Sequence, residues 1–311
     1  MQYYQTNYNM QRLAEKRFCS RMGWGLLLMM GISSFLGSII LVFVTFLAPD
    51  LASSPWFSTL AISFCMYIIA MPIASLLFQK VPQNPPDQHK LSARQLVLAF
   101  IICYGLSLVG SLIGTIINSA IQAFSGLPAF DLDAVLADIP WWVNLITVVL
   151  MAPIFEEWFF RKLLIDRLRF YGEKTALIVS GLLFGLFHGN FSQAFYATLL
   201  GFAFGYIYLK TGRLRYTIIL HAAFNLLGGF ISPLLLQAAL PELFFTIYSY
   251  ILLGFSIAGI ILVCYYRKRL WLAPSSFPGS QDFVLGNPGM IVFLVFCFLQ
   301  FAFSIFGSSI M

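Results

Sequence analysis

The sequence predicts an all-α polytopic membrane protein of about nine transmembrane helices, and three observations predict it. Of 311 residues, 60% are hydrophobic and only 10% are charged, too few charges to coat a soluble surface. Apolar runs of membrane-crossing length recur near 23–48, 55–79, 95–124, 141–160, 174–190, 191–209, 216–237, 243–266 and 288–307. All 18 Lys and Arg fall in the N-terminal segment, 80–94, 161–174, 210–215 and 267–269, and the alternate connections have none. Basic residues collect on the cytoplasmic side of membranes, so the N-terminus is expected inside and the C-terminus outside. That distribution accounts for the net charge of +6 and removes the case for a nucleic-acid partner.

In chain order, residues 1–22 read as a polar cytoplasmic segment without a signal-peptide pattern. Residues 23–140 carry the N-terminal transmembrane helices. Between the second and third runs, Pro82, Pro85 and Pro86 make a stiff cytoplasmic turn, in which His89 is expected to be solvated. The outer loop before 141 carries Asp131, Asp133 and Asp138, without the spacing of a calcium loop, and reads as hydrated. Residues 141–237 form the expected catalytic core, helices 4 to 7, of which the fifth and sixth runs are short for spans. Residues 238–311 hold the last helices, with an irregular linker at 270–287 rich in Pro, Ser and Gly. The pairs Gly110 and Gly114, Gly181 and Gly185, and Gly201 and Gly205 are spaced for close helix packing. The five cysteines are odd in number and four lie in apolar runs, which speaks against a disulfide framework or a thiolate zinc cluster.

The polar residues of the core are the informative ones. Glu156 and Glu157 end an apolar run, and a carboxylate near mid-bilayer costs about 2.5–3.5 kcal/mol. Glu157 and Arg161 are four apart on one helix face and can pair. Glu156 lies about 100° further round and has no cation at either helical spacing, which leaves it free for chemistry. His188 and His221, two of only three histidines, sit in two other apolar runs, and Asn225 shares a helix face with His221. Together these residues point to one shared polar site.

The pattern Glu156-Glu157-x-x-x-Arg161, Phe184-x-x-x-His188, His221-x-x-x-Asn225 resembles the three-motif signature of the CPBP family of CAAX-protease and bacteriocin-processing membrane proteins, the Abi/Rce1-like proteins. The resemblance covers about 140–230. It implies an integral, multi-pass intramembrane glutamic endopeptidase of a bacterial cell membrane, with no metal or cofactor, acting on a membrane-associated peptide or a lipidated protein. In that reading Glu156 activates water with help from His188, His221 and Asn225 stabilise the oxyanion, and Glu157 and Arg161 support the site.

The residue types suit peptide hydrolysis, which needs a base, an acid for the leaving amine and donors for the oxyanion. No serine lies in a nucleophile-elbow motif and no cysteine lies near either histidine. Two alternatives stay open: a zinc protease with Glu156, His188 and His221 as ligands, and a catalytically silent immunity or binding protein. For Glu156 to meet His188, a helical hairpin must turn at Gly172, 16 residues from each. The turn at 189–193 must then lie within the membrane depth. The short path from Glu156 to Arg161 leads to the expectation that the site opens toward the cytoplasm.

Overall fold

A computed structural model describes residues 2–127, 132–237, 241–274 and 282–306. Asp131 and the 275–281 part of the linker lie outside the described residues. Among the described residues the regular structure is helical throughout, and every predicted apolar run forms a helical rod. They are α1 (Gln2–Leu47), α2 (Pro55–Gln79), α3 (Ala93–Ser125), α4 (Trp141–Tyr171), α5 (Glu173–Phe187), α6 (Phe191–Thr211), α7 (Leu214–Leu235), α8 (Glu242–Tyr266) and α9 (Pro288–Phe306).

Among the described residues, seven of these rods are long and apolar enough to cross a membrane, so the chain is an integral, multi-pass membrane protein. The other two are α5 and α6. With 15 residues, α5 rises only ~22 Å, short of a ~30 Å hydrocarbon core. α6, with 21 residues, has no exposed residue, whereas α5 exposes Ile178 and Leu182. α6 packs against α5 on one side and α3 on the other, and α3 in turn carries α8. The close approach depends on glycine: a Cβ at Gly110 would overlap the backbone of Tyr196, and one at Gly201 would press on Gly181. The N-terminal segment is itself helical. It continues α1 as one helix of 46 residues, of which Leu13–Leu47 is the apolar part.

Three rods are not regular α-helices throughout. π-Helical turns occupy Cys65–Ala70, Leu145–Met151, Trp158–Ile165 and Leu226–Ile231, and all but Trp158–Ile165 are followed two residues later by a proline: Pro72, Pro153 and Pro233. Proline has no N–H and its ring collides with the carbonyl four residues back, and the wider π turn relieves that collision. The carbonyls left without a helical donor find partners across the bundle. Asn225 Nδ2 on α7 donates to Val148 O on α4 at 2.8 Å. Asn144 Nδ2 on α4 donates to Gly229 O on α7, four residues before Pro233, at 2.9 Å. The two helices thus clasp each other reciprocally.

At the end carrying the basic connections, the chain from 80 to 92 is extended and straps the hairpin turns. Asn84 N donates to Asp166 O at 2.6 Å, Arg169 Nη1 to Pro85 O at 2.8 Å, and His89 N to Thr211 O at 2.8 Å. The α4–α5 turn is at Gly172, at φ +99°, a conformation that favours glycine.

Candidate active site

The hairpin at Gly172 runs α4 and α5 antiparallel and brings Glu156 and His188, each 16 residues from the turn, to one cavity. His188 is the C-cap of α5. Gly189, at φ +66°, and Asn190 then reverse the chain into α6. Asn190 is 5% exposed, and its side chain accepts from Gln193 N at 2.9 Å and donates to His188 O at 2.8 Å. The turn is walled by protein, with Gln300 of α9 beside Gly189 and Asn118 of α3 donating to Ser192 at 2.9 Å.

Glu157 is fully buried and saturated with donors. Arg161 Nε reaches Oε2 at 2.9 Å and Nη2 reaches Oε1 at 3.2 Å. His221 Nδ1 lies 3.1 Å from Oε1. Arg161 is also 0% exposed. Its Nη1 donates to Ser180 Oγ at 3.0 Å, and Ser180 Oγ passes a bond to Phe160 O at 2.9 Å. The rings of Phe184 and Phe204 lie 4.8 and 5.9 Å from the guanidinium carbon. Two carboxylate oxygens meeting two guanidinium nitrogens, with aromatic faces around them, is the arrangement in which a buried ion pair is tolerated.

Glu156 has a different setting. It is 5% exposed and faces a cavity of about 430 Å³ that His188, His221 and Asn225 also line. Tyr67 of α2 donates its hydroxyl to Glu156 Oε1 at 2.8 Å, and its ring stacks on Phe155 at 5.5 Å. The other oxygen, Oε2, lies 4.0 Å from His221 Nε2. His221 is therefore held between the two glutamates, and its ring stacks on Phe204 at 5.4 Å. At His188, Nδ1 faces Phe184 O at 2.8 Å. A carbonyl only accepts, so that nitrogen carries the proton and Nε2 keeps a lone pair. The structure thus brings Glu156, His188, His221 and Asn225 to one cavity and sets Glu157 and Arg161 behind it.

The cavity exists where the proline-widened turns face one another. Tyr67, Thr147, Val148, Gly228 and Gly229 all belong to π-helical segments and all line it. Sequence reasoning missed Tyr67 and Ser180. Tyr67 looks like any aromatic residue of an apolar run, although Pro72, five residues on, marks the irregular turn that carries it. The expected opening along the short path to Arg161 is not what the structure shows. Phe159, Phe160, Arg161, Leu164 and Thr217 are fully buried there, and none of Arg161, Lys162, Arg213 and Arg215 lines the cavity. The five-residue path is filled by the Glu157–Arg161 pair and its aromatic packing. Among the described residues, no three His, Cys, Asp or Glu side chains are grouped as a metal site requires.

Comparison with known proteins agrees with the motifs. Residues 138–227 match the family model described as "Type II CAAX prenyl endopeptidase Rce1-like". A protein of Bacillus subtilis (strain 168) named "Putative membrane peptidase YdiL" is 25% identical, over 55% of this chain and 85% of its own length. No solved structure matches significantly. The matched segment, residues 138–227, runs from just before α4 to Leu227 of α7 and holds all six motif residues, so it is in this core that the chain resembles the Rce1-like endopeptidases.

Proposed function

We propose that this protein is an intramembrane endopeptidase in which Glu156 activates water. The observation that carries the reading is the division of labour between the adjacent glutamates. Glu157 is fully engaged by Arg161 and His221, whereas Glu156 keeps one oxygen on the cavity, 4.0 Å from His221 Nε2.

A water between Glu156 and His188 gives a proton to Glu156 as its oxygen attacks the peptide carbon. The carbonyl oxygen takes up the charge and is met by His221 Nε2–H and by the Asn225 amide. That amide is already aimed by its bond to Val148 O. Because Nδ1 of His221 donates to Glu157, donation from Nε2 makes the ring an imidazolium. Collapse of the tetrahedral intermediate breaks the C–N bond, and Glu156 returns the proton to the leaving amine.

The test uses the purified full-length protein and a fluorogenic peptide library, with products mapped by mass spectrometry. Cleavage at internal bonds that survives prolonged chelation, and falls by about 10²–10⁴ in His188→Ala, is expected. Activity lost on chelation and restored by zinc would replace this mechanism with a metal-dependent one.

A further inference from the structure

We propose that the peptide reaches Glu156 from the Lys- and Arg-free end of the molecule, so that the substrates are polypeptide segments exposed on the non-cytoplasmic face of the membrane. The inference rests on the endopeptidase reading for its chemistry, and on the cavity's geometry and the distribution of Lys and Arg for its direction.

The cavity has a bottom and a rim. Glu156 and His221, at the bottom, are each 5% exposed. At the other end Thr59, Ser63, Ser111 and Gly228 line the same cavity and are part-exposed. Helix counting gives the direction. Thr59 is four residues from the start of α2 at Pro55, ~6 Å, and Glu156 is 15 residues from the start of α4 at Trp141, ~22 Å. Both helices start at the same end, and the short helix Leu132–Asp138, which contributes Leu136 to the lining, belongs to the connection there. The connections at that end, 48–54, 126–140 and 236–242, contain no Lys or Arg. All 18 basic residues belong to the opposite end, where the route is packed shut around Arg161. Excess Lys and Arg marks the cytoplasmic side, so the rim faces outward.

The path is also chemically suited to a peptide. Thr59, Ser63 and Ser111 place hydroxyls along it that can both donate to and accept from an extended backbone, and the Thr147 hydroxyl, which donates to Val143 O, can accept. The volume is in the range of sites that enclose a small ligand, so it takes a short stretch of chain and not a folded domain. A cytosolic C-terminal tail would have to cross the bilayer to enter, whereas an exported peptide or the outer end of a membrane protein would not.

The test is thiol accessibility in the full-length protein, in a background lacking the native cysteines. Gly228→Cys reports the rim, where an added Cβ meets nothing within 4 Å, and Ser63→Cys is a second rim position. Lys162→Cys, with its side chain 44% exposed, reports the basic end. An impermeant maleimide is applied to spheroplasts and to inverted vesicles. Labelling of both rim cysteines in spheroplasts, with Lys162→Cys labelled only in inverted vesicles, is the expected result. Rim cysteines labelled only in inverted vesicles would overturn the proposal, whether or not Lys162→Cys follows them. Labelling does not require turnover, so this outcome stands apart from the chemistry. A Glu156→Gln protein that cleaves normally would refute the endopeptidase reading and leave the direction of the opening intact.

Discussion

Tyr67 donates its hydroxyl to Glu156 Oε1 at 2.8 Å, joining a helix outside the family match to the carboxylate at its centre. The bond occupies one carboxylate oxygen and turns the other toward the cavity. Tyr67→Phe keeps the ring and its stacking on Phe155 and removes only the donor. A hydrogen bond to a charged group is worth about 1.5–3 kcal/mol, so kcat is expected to fall roughly 10–100-fold with little change in KM. Steady-state kinetics of the purified variant check this, and an unchanged kcat would mean that Glu156 is oriented by other contacts.

Glu157 and Arg161 make the second prediction. Both are fully buried, so removing either leaves an uncompensated charge, at a cost of about 3–5 kcal/mol. Glu157→Ala and Arg161→Ala should each destabilise strongly, and the double variant should lose less than the sum. A thermal-melt cycle measures the coupling. Additive losses would contradict the pairing.

The proline clasp yields a compensation test. Asn144→Ala leaves Gly229 O without its donor, at a cost of about 1–3 kcal/mol. Pro233→Ala restores an N–H four residues after Gly229. Combined with Asn144→Ala, it should recover part of the lost stability. If the double variant melts below Asn144→Ala alone, the carbonyl is not the reason for the clasp.

Much of this arrangement was legible in the sequence, because its causes are local. Apolar runs give the rods, i,i+4 spacing gives the Glu157–Arg161 pair, and equal counts to Gly172 give the height of Glu156 and His188. The remainder depends on contacts between distant segments. Tyr67 is 89 residues from its partner, and nothing local separates it from an ordinary apolar-run tyrosine. Pro72, Pro153 and Pro233 were visible, but that their π turns would face one another and open a cavity is a property of the packed bundle. The same holds for its direction: chain distance favoured the route past Arg161, and aromatic packing around the ion pair closes it.

Outside the apolar segments, Glu173 ties the hairpin to the linker. Burial works against its charge, but Lys210 Nζ at 2.7 Å, Ala273 N at 2.9 Å and Arg169 outweigh it and hold the carboxyl below its ordinary range. A depressed carboxyl stabilises the fold above its unfolded value, and that contribution is lost as pH falls through the folded value. Glu173→Gln should therefore melt below the parent at pH 7. The gap should close on acidification past the ordinary Glu value of ~4.3. A gap that is constant with pH would show that the glutamate's charge is not what it contributes.

The central claim is that Glu156, and not its neighbour, is the base. Glu156→Gln preserves size and leaves an oxygen to accept from Tyr67, so the melting temperature should match the parent. Peptide cleavage by the purified variant should fall by about 10²–10⁴ or more, because the amide cannot take a proton from water. A Glu156→Gln protein that is folded and turns over peptide at a near-normal rate would contradict the account.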